Sequence, residues 1–395
     1  MSDNERFAPA VPWMLFLIMM VFFAVFPRLL LAPLLLRISS GLGIEYGRAS
    51  GFFLTAAFGF TTGLLTSGFA AKLYTHRWTI VGSVALTGVS FLVLSTVQTV
   101  VAFHVVLFVG AFGNGLYPGS GVASVAALVP DHHRGKALAM HEAGPNLAFI
   151  LAPILAAIIA PFAGWRGVFA LTGAAALVAA TLFGAFGRGR RESGEPPHFE
   201  NIKLFLHSRD FWIIATLFAV VVSTAVGVFS MLPTFLVVEH GHSEQFVNTL
   251  VGVSRITGFA AIFTAGALSD RFGFAAVVSV IMSVTGLMTI LIGLTQGTVL
   301  LVAVFLQPLV VQAFFPVAIR ALTDSAPVAA RNLAVALAIP LANLVGAGIA
   351  PRAFGAVAAA GYFEAGFIAL GTLTVVSLAL LPFRRTKETT PGTPA

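Results

Sequence analysis

The chain has 395 residues, 58% of them hydrophobic and only 9% charged, with a formal net charge of +7 and a mean hydropathy of +0.97. A water-soluble domain carries about a quarter of its residues charged, so most of this surface does not face water. Cysteine is absent, which excludes disulfides and thiolate metal sites.

Twelve long apolar runs follow one another, each able to cross about 30 Å of hydrocarbon as a helix. None shows the period-two alternation of a membrane barrel. The expected fold class is an all-α membrane protein with twelve transmembrane helices. Helix 1 is expected over 12–36. Its segment "FPRLLLAPLLLR" is unlike the end of a cleaved signal. Arg28 within it either meets a ligand, snorkels, or bonds carbonyls freed near Pro27 and Pro33. Helix 2 (50–71) and helix 3 (77–98) flank "GFAAKLYTHR". Helix 4 (101–129) contains "GNGLYPGSG", whose glycines permit close packing and whose Asn114 and Tyr117 bring polar groups to mid-depth. The "DHHRG" turn reads as interfacial rather than metal-binding. Helix 5 (136–160) opens with "MHEAGPNLAF", which sets His141, Glu142 and Asn146 within two turns. Glu142 beside His141 reads either as a protonation site or as a structural cluster held against Arg134 or Lys136. Helix 6 (165–187) ends the first half.

Charges and a Pro-Pro pair mark 188–208 as a linker, with a short surface helix around 199–207. It separates an N-terminal unit (1–187) from a C-terminal unit (209–395). Helix 7 (209–237) precedes helix 8 (247–268), which has Arg255 near its centre. The polar turn "GALSDRFG" leads into helix 9 (274–295). Helix 10 (298–323) carries Gln312, with Arg320 near its inner end. Helix 11 (332–357) carries Asn343 and, further outward, Arg352, and helix 12 (362–383) closes the chain. The two amides either orient a ligand or bond neighbouring helices. Arg352 either reaches a ligand or bonds the carbonyl freed by Pro351.

The halves share a register. Gly68 and Gly266, Pro118 and Pro316, and Pro153 and Pro351 are each 198 apart; Arg134 and Arg331, and the glycines of "GW" at 164 and "GY" at 361, are 197 apart. Such spacing marks a parallel duplication of six helices, a known plan for transporters. With the N-terminus inside, 15 of the 22 Lys and Arg residues fall in cytoplasmic segments, and only Arg37, Arg48 and Arg166 in outer ones. This positive-inside bias directs both termini to the cytoplasm and accounts for the basic charge without nucleic acid.

"GALSDRFG" fits the loop signature G-x-L-(A/S)-D-R-x-G, and "RGKALAM" and "GWRGVF" are further landmarks. On these the chain resembles the major facilitator superfamily from about residue 12 to 384. The resemblance implies two parallel-repeat six-helix bundles and alternating access around a midplane site. It also implies a gating turn of Gly266, Asp270, Arg271 and Gly273, with Asp270 facing a helix N-terminus. In the first copy Lys72 stands for the aspartate and Thr75 for the last glycine. That latch is therefore weak or rewired, or Lys72, His76 and Arg77 serve only the positive-inside bias. The arginine often found early in helix 4 is missing, with Val106 and Leu107 there and His104 nearby. "FILAPILA" has alanine where drug/proton antiporters carry the glycine of a Gly-Pro motif. Cations on helices 8 and 11 resemble the oxalate/formate and monocarboxylate branches, by helix rather than by depth.

The central membrane layer holds arginine without matching carboxylate, and guanidinium cannot escape by neutralising. A small organic anion is the economical counter-charge. Expected substrate contacts are Arg28, Arg255, Asn114, Tyr117, Asn146, Gln312, Asn343 and Arg352, with Glu142 and His141 for proton coupling. No nucleophile–base pair, metal cluster or phosphate loop is apparent, so an enzyme is not expected. No cofactor is expected. The partners are the anion, the lipid bilayer and, under symport, protons; nucleic acid is not a partner, and the chain is expected to be a monomer. Alternatives are proton-coupled efflux of a drug or metabolite, and a sensor that keeps the transporter fold.

Overall fold

The computed structural model describes residues 7–188, 192–194, 205, 207–325 and 331–384; the side chains of 8, 259–267, 270, 331 and 332 lie outside that description. Of the linker helix expected around 199–207, only Phe205 and His207 fall within it. The described residues form helices and turns alone.

Nine stretches are long and apolar enough to cross a membrane. Two are helix pairs joined through a single non-helical residue. Tyr46–Leu94 turns at Thr75, giving helices 2 and 3, and Asp131–Phe186 turns at Gly164, giving helices 5 and 6. With helix 8, Glu244–Phe272, the described residues supply the twelve spans of a multi-pass membrane protein. Helix 1 is Val11–Leu29 continued by Leu31–Gly41, and helix 4 is Val100–Leu128. Helix 7 is Arg209–Val238 and helix 9 is Phe274–Leu294. Helix 10 is Gly297–Val311 plus Phe314–Asp324. Helix 11 runs from Arg331 to Ala359 through a π-helical turn at Leu344–Ile349, and helix 12 begins at Phe363. Side-chain hydroxyls of Thr99, Ser208 and Ser243 cap helices 4, 7 and 8 by accepting from Ala102, Phe211 and Phe246 N–H groups, satisfying donors that a helix start leaves free.

The duplication is visible in backbone geometry. Gly273 turns helix 8 into helix 9 at φ 81°, ψ 159°, and Thr75, 198 residues earlier, takes φ 69°, ψ 160°. The same turn is thus built in both halves, at a strained position for a β-branched residue in the first. Helices 3 and 6 meet at Gly88 and Gly173, where a Cβ on either would press on the other's carbonyl at 2.9 or 2.7 Å. Helices 9 and 12 repeat this contact at Gly286 and Gly371, again 198 residues on. In lipid, where association depends on close packing, such glycine contacts bring helices together.

Three buried cores show how the bundles are arranged. One holds Met14, Leu17, Tyr117, Val125 and Phe183, all from the first half. Another holds Phe218, Met282, Phe314 and Ala338, all from the second. The third joins both halves, packing Leu34, Phe52 and Phe169 with Phe229, Phe354 and Phe367. Helix direction puts the joint core on the side away from the chain termini and the two separate cores on the termini side. The bundles are therefore sealed together at the far side and packed independently at the termini side.

Candidate functional site

The far-side seal is a set of cross-bundle contacts. Along helix 8, Glu244 pairs with Arg37 of helix 1. One turn on, Asn248 Nδ2 donates to Pro33 O at 3.2 Å. A further turn on, Gly252 lies against Ile150 and Ile154 of helix 5. Opposite, Tyr46 Oη donates to Ala358 O at 3.1 Å and Arg352 to Gly47 O at 3.3 Å. Arg352 thus sits in the seal, bonded to backbone of the other bundle.

Arg28 and Arg255 lie where the seal ends. From the Pro33–Asn248 contact, Arg28 is five residues and Arg255 seven residues toward the termini side, about 7 and 10 Å at helical rise. Their backbone positions therefore lie within about one helical turn of each other in depth. Arg28 Nη1 donates to Asn343 Oδ1 at 3.4 Å, and its guanidinium lies 4.3 Å from the Phe60 ring centre. Asn343 also donates to Ala57 O at 3.3 Å and to Thr61 Oγ1 at 3.2 Å, tying helix 11 to helices 1 and 2. Arg255 is 6% exposed. Its guanidinium lies 4.9 Å from the Phe229 ring centre and 5.8 Å from that of Phe149. It has no hydrogen-bond partner among the described residues, and its Nε is buried unpaired.

Helix 1 is interrupted at Leu30, helix 10 at Gln312 and Ala313, and helix 11 by its π-helical turn just after Asn343. The break of helix 5 at Glu142 lies further toward the termini side, level with Leu17–Val21 of helix 1. Irregular backbone at membrane depth is tolerated where it is buried in protein or lines a cavity. Half-buried Gln312 lies beside Gly258, one helical turn beyond Arg255.

Other expected residues point elsewhere. Asn114 is buried between helices 3 and 4, accepting from Thr87 Oγ1 at 2.5 Å, with its Nδ2 unpartnered. Tyr117 is 1% exposed inside the first bundle. Neither faces the space between the bundles, because helix 4 turns that stripe toward helices 1 and 3. Tyr117 Oη donates to Leu17 O at 3.0 Å and lies 2.8 Å from His141 Nε2. A phenol has one proton, so Nε2 must carry the hydrogen of that second bond. His141 Nδ1 is buried without a partner. Glu142 is exposed at the break of helix 5, and Asn146 Nδ2 donates to its carbonyl at 2.8 Å. The cations considered as partners for Glu142 are engaged otherwise: Arg134 pairs with Asp131 at 2.9 Å and Lys136 lies over Phe7.

In the gating turn, Gly266 and Asp270 belong to the described backbone of helix 8, but their surroundings and the Asp270 side chain lie outside the described residues. Arg271 is exposed over Phe272, and Gly273 makes the turn itself. In the first copy Lys72 is exposed, and the linker crosses the turn. Gly194 N donates to Ala71 O at 3.0 Å, and His76 N to Glu192 O at 3.4 Å. Arg320 lies 3.7 Å from Asp324.

Sequence reasoning missed the Arg37–Glu244 pair, Asn248, Phe149, Phe229 and Gln307. Glu244 and Asn248, one turn apart at the head of an apolar helix, were a readable signal. Gln307 is fully buried with neither amide atom bonded among the described residues; an amide in an apolar run was its signal. The two phenylalanines, among 37, carried none.

The family profile of the Major Facilitator Superfamily matches residues 15–259 and 226–395. The chain belongs to the Major Facilitator Superfamily. Membership accounts for the two bundles, the parallel repeat and the shared seal, and it identifies the chain with a family of transporters. Solved structures of the same fold include a bacterial homologue of the human lysosomal transporter Spinster, inward-facing and occupied, with TM-score 0.81, 14% identity and 97% of each chain covered. A D-xylose–proton symporter matches with TM-score 0.77 and 16% identity over 95% of this chain and 97% of its own. A POT family transporter in complex with 5-aminolevulinic acid matches with TM-score 0.79 and 15% identity over 96% and 97%. In sequence, a chloramphenicol resistance protein of Streptomyces lividans is 25% identical over 247 residues, 61% of this chain and 62% of that protein's length.

Proposed function

We propose that this member of the superfamily is a secondary carrier that moves a small organic anion, a carboxylate, across the cytoplasmic membrane by alternating access. The observation that carries the reading is Arg255: a permanent charge buried at the meeting of the bundles, without a carboxylate or hydrogen-bond partner among the described residues. Burying such a charge costs a few kcal/mol or more, and an anionic passenger offsets that cost only while bound. Arg28 and Gln312 extend the contact set, with Asn343 holding Arg28. Asn146 contributes from the helix 5 break. Asn114, Tyr117 and Arg352 act as supports of the bundle and the seal.

Coupling runs by proton symport or by anion exchange. Glu142 and His141 are the proton-coupling candidates, at a helix break and next to Tyr117. The positive-inside bias directs both termini to the cytoplasm, so the side on which the bundles pack independently faces inward. Units 1–187 and 209–395 rock about the joint core, with 188–208 as linker and Gly266, Asp270, Arg271 and Gly273 as the inner latch. The chain works as a monomer without a cofactor. Uptake of labelled carboxylates into proteoliposomes tests the reading: Arg255→Gln is expected to abolish uptake, and retention of full uptake would overturn it. A second reading, efflux of an amphipathic compound, draws on the likeness to the chloramphenicol resistance protein; accumulation in energised inverted vesicles, insensitive to Arg255→Gln, would favour it.

A further inference from the structure

We infer that the carboxylate is carried on an apolar body, preferably aromatic, and that Phe149, backed by the buried ring of Phe229, forms the wall against which that body rests. This deepens the organic-anion reading and rests on it. Phe149 of helix 5 and Phe229 of helix 7 belong to opposite bundles, and their rings meet edge to face with centres 5.1 Å apart. Arg255 lies against both, so an anion that reaches the guanidinium meets aromatic carbon beside it. Phe149 is half-buried and therefore offers surface.

Most of the hydroxyls and amides nearby are already bonded within the protein, with Gln312 and the buried Gln307 of helix 10 the exceptions among the described residues. Ser254 Oγ donates to Val251 O at 2.8 Å, and Thr257 Oγ1 lies within reach of Ser254 O and Phe305 O at 2.7 and 3.1 Å. Asn248 donates to Pro33 O, Thr61 Oγ1 lies 3.4 Å from Pro340 O, and Asn343 makes three contacts. A polyhydroxylated or peptide-like passenger would give up its water hydrogen bonds here and find few replacements, a loss of affinity for every unpaired group. A passenger with one charged end and an apolar body gives up none beyond its carboxylate. That carboxylate can pair with two N–H groups of the planar fork. Aromatic rings facing a ring-shaped body add favourable contact beyond the area they cover.

The test compares three probes of equal charge, benzoate, propionate and gluconate, by calorimetric titration of the purified full-length protein in detergent. Benzoate is expected to bind at least about ten-fold tighter than propionate, since its ring buries the additional apolar surface, and gluconate weakest of the three. Phe149→Ala is expected to bring benzoate to within about three-fold of propionate, the ratio of the two affinities being the readout. Because Phe229 is fully buried, Phe229→Leu is the companion variant, chosen to keep the fold and weaken the same preference. Propionate or gluconate binding as tightly as benzoate, with Phe149→Ala without effect, overturns the apolar-body inference and leaves the anion reading standing. If none of the three binds, and Arg255→Gln changes no ligand response, the anion reading fails and this inference with it.

Discussion

At the scale of single residues, the molecule tolerates two costs. Thr75 holds a backbone conformation that its repeat partner gives to Gly273, and a β-branched residue there costs on the order of 1–3 kcal/mol. Glycine loosens the unfolded chain by up to about 1 kcal/mol, so the strain term wins. Thr75→Gly is expected to raise the thermal midpoint in detergent by the equivalent of about 1 kcal/mol, and a lower midpoint would show that the turn is not strained. Arg255 is the second cost. Its two ring contacts return about 0.5–2 kcal/mol, less than burial of the charge takes. Arg255→Gln is therefore expected to melt higher than the native chain without anion, while losing the anion-dependent increase. A site kept at the expense of stability is the expected signature of function.

At the scale of helices, the breaks and the close contacts divide the work. Interruptions at Leu30, Gln312 and the π-helical turn after Asn343 gather near the proposed site, the helix 5 break at Glu142 lies closer to the termini side, and the glycine crossings pack helices closely within each bundle. A methyl group at Gly173 would come within 2.7 Å of Gly88 O and Leu92 N, which are backbone atoms that cannot step aside. Gly173→Ala is expected to destabilise by about 1–3 kcal/mol. Gly82, exposed in helix 3 with nothing within 4 Å of its Cβ position, is the control: Gly82→Ala is expected to stabilise by about 0.5–1 kcal/mol through helix propensity. Equal effects at the two sites, read from melting curves, would refute the close-packing account.

At the scale of the whole molecule, the far-side seal holds the bundles in one arrangement with many modest contacts. The Arg37 and Glu244 side chains are 34% and 29% exposed, so solvent screens their attraction and the pair is worth about 0.5–1 kcal/mol. A double-mutant cycle of Arg37→Ala and Glu244→Ala, read as melting temperature at low and high salt, is expected to return that coupling and lose much of it in salt. Coupling near zero at both would remove the pair from the seal. Modest contacts suit a carrier, because a seal worth many kcal/mol would trap one state.

Much of this was legible in the chain. Twelve apolar runs, a 198-residue register and the "GALSDRFG" turn determine the membrane class, the duplication and the superfamily, because hydrophobic length and glycine turns act locally and leave a one-dimensional trace. Thr75 was readable as a lost glycine, though not as a residue forced into the glycine conformation. The direction of each polar side chain was decided only by tertiary packing. Asn114 and Tyr117 lie at the same nominal depth as Gln312, yet helix 4 turns them into its own bundle. Arg352 reaches across to Gly47, and Phe149 and Phe229 meet from opposite halves. Helix rotation depends on which neighbours a stripe packs against, and in lipid an apolar face and an interface face are written in nearly the same residues.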